Sequence, residues 1–500
     1  MAKTIGPCKQ ASSRQVLKNK MSRKLRRYQW GAEQYYRRGL DYHDSRISAM
    51  QKLELYKVVN LPKKECRGIQ YRSPTFNYFL ALQLQHAEHN TYSKLRNWDG
   101  TNQCLKLTSP YQTAVQLMHM YHSLPGARIY CIDLKRCDAH ISPKHLKLEH
   151  EFYLKLRPGA KRLQQALRWT VKNIGTTRGG VRYKMNGKRM SGDYVTGFGN
   201  TVQTLALLRV VFGTDALYGV NGDNAVVFTR REARIVGVDE FLPYGFTVEM
   251  DIVYKYQHIE FCQSKLIMSK YGPLLARNPW KVGQQLFLHA QKLGPVQRRR
   301  VLVGKAMCEL CSQSGVPYNS ELAALILERF HDVPPLHLDD QSYLKLKAGP
   351  PVFREIDPLA RADMQEAWGL EPGEFPWHDE IAYGLRWAEA VRVKSPKSHD
   401  ANESSEGTAR LAATAAGCDE VDTGQYPYCA RCHSEDLARQ ETVSTRNWPQ
   451  IGWNVHSPIC RGLQQIELGS HRSRSRDRDH LEQYQQWQSD QGGPCVRANS

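Results

Sequence analysis

Apolar residues change texture three times along this chain. Ile129, Tyr130 and Ile132 make a short run that stops at Asp133, which predicts a buried strand carrying Asp133 at its C-terminal end. Two further apolar runs, 216–220 and 225–228, flank Asn221-Gly222-Asp223-Asn224. Asn-Gly between such runs predicts a β-hairpin. The stretch LKLEHEFYLKL (146–156) reads as a helix, so 126–270 alternates short strands with helices. Residues 60–90 place basic residues before a proline-containing segment and then a helix. From 280 to 392 the pattern is mostly helical, with apolar positions three and four apart in WKVGQQLFLHAQKL and SELAALILERF. Beyond 394 large apolar residues are too sparse to bury a core, which predicts a mainly disordered tail, and no internal repeat is found.

Charge sharpens this division. The first 393 residues hold 58 Lys+Arg against 35 Asp+Glu, a net of +23, whereas the remainder holds 12 against 14. Residues 1–75, rich in aromatics, carry 18 basic and 5 acidic residues. A basic folded region with interleaved aromatics fits a polyanion partner, though charge alone fits any soluble basic protein. The 13 cysteines follow no framework spacing and the N-terminus has no apolar leader, so a reducing intracellular setting is expected. No run approaches the ~18 apolar residues of a spanning helix. The nearest, 201–220, is broken by Arg209 and Asp215, so work at a membrane would need attachment through something else.

Three short blocks carry the candidate chemistry. Asp133 and Asp138 are two carboxylates five residues apart at a strand end, suited to Mg²⁺, or equally turn aspartates capping a helix. In Ser191-Gly-Asp-Tyr-Val-Thr-Gly-Phe-Gly-Asn200 a flexible loop leads into a helix, where Thr196 and Asn200 share a face. Gly197 and Gly199 are poor helix residues, so another backbone or a ligand is expected to come close there. Asn221–Asn224 is a plain hairpin turn, or a turn presenting Asp223 to Asp133. Carboxylates so placed repel unless a cation lies between them.

Taken together, these blocks resemble motifs A, B and C of viral RNA-dependent RNA polymerases, in particular the tombusvirus-like group of positive-strand RNA viruses. Arg67-Gly-Ile-Gln-Tyr-Arg72-Ser-Pro with Asn77 resembles motif F, and Glu260-Phe-Cys-Gln263-Ser resembles motif E. Five motifs thus stand in the family's order across 67–264. The departure is Asn224 where motif C normally has a second aspartate, a variant shared with some tombusvirus-like fungal viruses. Motif D is indistinct, with Lys255 the nearest candidate for its proton-donating lysine.

The resemblance implies an α+β right-hand fold. Fingers with motif F would occupy 1–125, a palm of antiparallel sheet on helices 126–270 with a fingers insertion near 156–188, a helical thumb 271–393 and the tail 394–500. It implies that Asp133 and Asp223 hold catalytic Mg²⁺, with Mn²⁺ as the alternative ion, beside Asn224. Arg67 and Arg72 would meet the nucleoside triphosphate, Asp138 and Asn200 the ribose 2′-hydroxyl, and Ser191 and Gly192 the RNA template and nascent RNA, with Asp193 and Thr196 in the same substrate-binding loop. The implied setting is the host cytoplasm, at a membrane-associated complex reached through an upstream viral replication protein. A catalytically weak or inactive RNA-binding relative is the alternative reading, against which both Asp133 and Asp223 are retained. A reverse transcriptase would carry a bulky aromatic where ribose is sensed.

Other clusters add little. Cys308/Cys311 and Cys429/Cys432/His433 could complete a zinc site, but the pairs lie far apart in sequence. His140, His145 and His150 recur every five residues, which spreads them around a helix and favours surface positions. The Arg-Ser run 472–478 is diluted by aspartate and reads as solvated chain.

Overall fold

Serine followed by proline starts three of the longer helices. Ser73, Ser109 and Ser142 each accept a backbone N–H from the first turn, and Pro74, Pro110 and Pro143 fill the position whose N–H has no partner. The computed structural model describes residues 1–371 except 19, 21, 55–64, 339–344 and 347–348. The expected tail, with Cys429, Cys432, His433 and the Arg-Ser run, lies outside the described residues, as do 372–393.

The N-terminal region contributes helices α1 (Ala2–Ile5), α2 (Ser13–Lys18) and α3 (Ser22–Arg38), strands β1 (Ile47–Gln51) and β2 (Gly68–Tyr71), and then α4 (Pro74–Lys94) and α5 (Pro110–Ser123). Strand β3 (Arg128–Leu134) leads through α6 (Cys137–His140), α7 (Pro143–Leu156) and α8 (Lys161–Trp169) to β4 (Lys172–Thr177) and β5 (Arg182–Asn186). Helix α9 (Thr196–Phe212) precedes β6 (Leu217–Asn221), β7 (Asn224–Thr229) and β8 (Val248–Val253). Strands β9 (Glu260–Phe261), β10 (Ser264–Ser269) and β11 (Gly272–Arg277) are followed by α10 (Pro279–Phe287), α11 (Pro295–Gln313), α12 (Asn319–Arg329) and a last described helix, Pro358–Trp368.

The fold is a mixture of helices and mainly antiparallel sheets. The central sheet runs β6-β7-β3-β8, antiparallel throughout. Alternation along β3 sends Tyr130, Ile132 and Leu134 toward Phe198, Leu205 and Leu208 of α9 and Phe79 of α4. Ile129 and Cys131 face Leu117 of α5 and Leu266 and Leu275 of the β10–β11 pair. Both faces of β3 are therefore covered, which is why it reads as a continuous apolar run rather than an alternating one.

A second sheet, β2-β1-β4-β5, joins segments far apart in sequence: β1 pairs antiparallel with β2 and parallel with β4. The region expected as an insertion near 156–188 supplies two of its four strands. The third sheet is β11-β10-β9. Its β10–β11 turn pairs Ser269 with Gly272, so the division expected between 270 and 271 cuts a hairpin, and helices begin only at Pro279. They share a core with the β10–β11 hairpin, where Leu302, Ala306, Leu310, Leu322, Ile326 and Met364 are buried together with Ile267, Leu274 and Ala276.

Candidate active site

Register places the three candidate motif A and C side chains at one end of the central sheet. Asp133 pairs with Asn224 on β7 and with Glu249 on β8. The β6–β7 turn consists of Gly222 and Asp223, and Gly222 has φ +71°, a value that favours glycine. The backbone N–H of Leu134 donates to the Asp223 carbonyl at 3.1 Å, which clips the turn to the end of β3. The Gly222 N–H donates to Thr201 Oγ1 at 2.9 Å, and the fully buried Thr201 hydroxyl donates in turn to the Gly197 carbonyl at 2.7 Å. Helix α9 thereby holds the turn from below.

The electrostatics are those of crowded carboxylates. Burial, then the charges of Asp223 and Glu249, raises the Asp133 carboxyl above its ordinary range. The Asn224 amide Nδ2 donates to Asp133 Oδ1 at 2.9 Å. The amide thus supplies a donor where a second aspartate would supply another negative charge.

Asp138 and Asn200 are also brought together. Asn200 Nδ2 donates to Asp138 Oδ1 at 2.9 Å, and Arg189 Nε donates to Asn200 Oδ1 at 3.0 Å. Burial raises the Asp138 carboxyl, the Asn200 hydrogen bond and the Arg189 charge oppose that rise, and Asp223 adds to it. A carboxylate acceptor beside an amide donor is the complement of a hydroxyl group.

This order of elements has relatives. Residues 1–372 match the family model described as viral RNA dependent RNA polymerase. The chain belongs to that family. It is 28% identical over 279 residues to the RNA-directed RNA polymerase of Tobacco necrosis virus (strain A), covering 54% of this chain and 38% of that protein. The corresponding protein of Maize chlorotic mottle virus is 26% identical over 368 residues, 69% of this chain and 38% of the relative. That of Panicum mosaic virus is 31% identical over 225 residues, 43% and 23% respectively. The chain therefore spans well under half the length of these viral polymerases.

In this member of the family, the 191–193 loop is strapped to β2. Gly192 N–H donates to the Gln70 carbonyl at 2.8 Å, and Gln70 N–H donates to Ser191 Oγ at 3.3 Å. A Cβ on Gly192 would meet Tyr71 Cβ at 2.6 Å, so only glycine permits this approach. Thr196 Oγ1 lies within donating distance of the carbonyls of Met190 (2.6 Å) and Asp193 (2.9 Å), so its hydroxyl closes the loop rather than sharing Asn200's environment.

Arg72 and Asp193, both expected near the substrate, are paired with each other. Arg72 is 2% exposed and forms an ion pair with Asp193, itself 4% exposed, while its other terminal nitrogen donates to Asn173. Two opposite charges buried away from water stay buried only as a pair. Arg72 and Asp193 thus bind each other across the strap. Arg67 differs: it is exposed, and Nε donates to Glu54 Oε2 at 2.7 Å.

Lys255 lies well away from Asp133. β8 runs antiparallel to β3, so Val253 pairs with Ile129, at the opposite end from Asp133. That is four residues past Glu249, roughly 13 Å of extended strand. Lys255 lies beyond it and donates to Glu366 Oε1 at 2.8 Å. Gly197 and Gly199 do admit close neighbours, but these are side chains: Lys106 over Gly197, and Arg189 with Glu149 over Gly199. His150 is buried beside Thr170, contrary to the surface position expected. Among the described residues no group of three or more His, Cys, Asp or Glu stands ready to hold a metal ion. Cys308 and Cys311 are both buried in α11. No described helix is long and apolar enough to cross a membrane.

Four residues matter here that the sequence reading passed over: Thr201, Arg189, Glu149 and Lys106. The only sequence signal for the middle two was Gly199, whose missing side chain makes room for them. Lys106 Nζ lies 3.2 Å from Asn221 Oδ1 and so brings a positive charge to the base of the turn.

Proposed function

We propose that this chain carries out template-directed RNA synthesis by two-metal nucleotidyl transfer. The observation that carries the reading is the convergence of Asp133 and Asp223 at one end of β3, with Asp133 already raised by burial and by its acidic neighbours. Closely set carboxylate oxygens are hard donors that suit Mg²⁺, and a cation would remove the repulsion between them. When bound, the metal ions supply activation of the primer 3′-hydroxyl and neutralisation of the triphosphate and leaving pyrophosphate.

The chain's own groups do the positioning. Asp133 and Asp223 would hold the ions. Asp138 accepts from the ribose 2′-hydroxyl and Asn200 donates to it, which selects RNA precursors over DNA precursors. Arg67, exposed on the edge beside β2, meets the incoming triphosphate with its planar fork. Ser191 and Gly192 line the template side of the loop. In this reading residues 1–125 together with β4 and β5 form the fingers, the central sheet the palm, and the helices from Pro279 the thumb. Membrane attachment comes through another viral replication protein. The test is extension of a labelled RNA primer on a defined RNA template with NTPs, in Mg²⁺ and in Mn²⁺. Template-dependent extension is the expected result. RNA binding with no extension in either ion would favour the inactive RNA-binding alternative.

The Asn224 amide yields a separate prediction. Asn224→Asp replaces the donor to Asp133 by a further carboxylate, so the ion-free site loses a hydrogen bond and gains repulsion. With ions bound the added charge becomes favourable. The variant is expected to remain active and to need roughly threefold to tenfold less Mg²⁺ for half-maximal extension, because affinity rises with ligand charge. Titration of wild type and variant in both metals on one primed template checks this. A variant dead in both would mean the asparagine has a structural task that charge does not describe.

A further inference from the structure

We propose that Arg189, itself fixed by Glu149, is the positioning residue that sets ribose selectivity by dictating which way the Asn200 amide points. The inference rests on the assignment of Asp138 and Asn200 to the 2′-hydroxyl.

An amide side chain has two nearly equal shapes, related by a flip that exchanges its oxygen and nitrogen. Only one is useful here. With Nδ2 toward Asp138, the amide bonds the carboxylate and keeps a second N–H for a hydroxyl. With Oδ1 toward Asp138, two acceptors would face each other and no donor would remain for the sugar. Arg189 decides between them, since a guanidinium donates and never accepts. Its Nε donates to Asn200 Oδ1 at 3.0 Å, so the oxygen is drawn to that side and Nδ2 is left facing Asp138 at 2.9 Å.

Arg189 can do this only if it is itself immobile. It is 3% exposed and pairs with Glu149, which is 1% exposed. Nη1 donates to Glu149 Oε1 at 2.9 Å, and Nη2 donates to the other carboxylate oxygen. Gln203 Nε2 also donates to Glu149 Oε2, at 2.5 Å. Burial works against the Arg189 charge, but Glu149 outweighs it, so the side chain remains a cationic donor. Two N–H groups of the fork are thus spent on Glu149 and a third, on Nε, on Asn200. The glycine preceding Asn200 is part of the same arrangement. A Cβ on Gly199 would fall 2.4 Å from Arg189 Nη2 and 2.6 Å from Glu149 Oε1. That helix position is glycine because the ion pair passes beneath it.

A plain structural ion pair would serve folding without touching sugar choice, and the two roles predict different kinetics. dATP has no 2′-hydroxyl and gains nothing from a correctly turned amide. ATP does. Arg189→Lys keeps a positive charge beside Glu149 but cannot hold the carboxylate as a fork and donate from Nε as well. Glu149→Gln keeps the shape and loosens the arginine. Steady-state kcat/KM for ATP and for dATP is measured on the same primed RNA for wild type and both variants.

The preference for ATP over dATP is expected to fall roughly tenfold in Arg189→Lys, chiefly through slower use of ATP, with Glu149→Gln falling in the same direction. Placed in an Asn200→Ala background, Arg189→Lys should lower the preference no further, because the group it orients is gone. Equal losses for ATP and dATP in both variants, or a loss that persists in the Asn200→Ala background, overturn the proposal. If Arg189→Lys does not fold, Glu149→Gln alone decides by the same criterion. Asn200→Ala lowering the preference while neither variant does so refutes Arg189 and leaves the function standing. Wild-type chain that extends no primer removes both.

Discussion

Asp223→Ala and Asp133→Ala are each expected to abolish nucleotide incorporation, a loss of at least roughly 10³-fold, while RNA binding changes by less than about twofold. The loss follows because metal ions supply several kcal/mol of charge stabilisation to the transferring phosphoryl group, and each of these carboxylates is half of the proposed holder. Binding survives because phosphate contacts with Lys and Arg dominate affinity for RNA, and the chain carries 70 such residues in all. Primer extension and filter binding at one fixed salt concentration check the pair of claims. Near wild-type incorporation by Asp223→Ala would sink the assignment of the hairpin tip. The same variants have an opposite effect on the ion-free fold: removing Asp223 removes a charge that raises Asp133, so metal-free stability should hold or rise.

The second large effect is on folding rather than chemistry. Asp193→Ala leaves the Arg72 guanidinium buried with its charge unmatched, and removing one partner of a buried pair costs about 3–5 kcal/mol. Denaturant unfolding should show this as a lowered midpoint. The double change Arg72→Met with Asp193→Leu should recover most of the loss, since an apolar pair of similar volume is often as stable as the ions it replaces. The alternative, in which Asp193 is a substrate contact, makes the opposite forecast: a variant as stable as wild type with poor substrate use. Stability and extension measured on the same samples separate them.

What could be read from sequence was set by how local the causes are. Strand β3 carries Asp133 as its next-to-last residue, close to where the apolar run stops, and α9 starts at Thr196 with Gly197 and Gly199 inside its first turns. The hairpin was legible from Asn-Gly, but its register was not: the two-residue turn is Gly222-Asp223, one position later than an Asn-Gly turn would put it. That shift matters, since it lifts Asp223 onto the tip and leaves Asn221 and Asn224 as a cross-strand pair. Arg72 and Asp193 lie 121 residues apart, as do Gln70 and Ser191, and nothing local announces that one is pinned to the other. The parallel pairing of β1 with β4 was hidden for the same reason. Arg189 and Glu149 are ordinary charged residues until folding buries them together.

Thr201 follows Asn200 directly on α9, and its hydroxyl is what the Gly222 N–H grips. On the proposed assignment, neighbouring residues of one helix therefore serve sugar recognition and metal placement. A substitution that shifts this stretch of α9 would reach the amide and the turn together. Thr201 is thus the shared footing of two neighbouring tasks, one hydroxyl bracing the hairpin from the helix that also presents the amide.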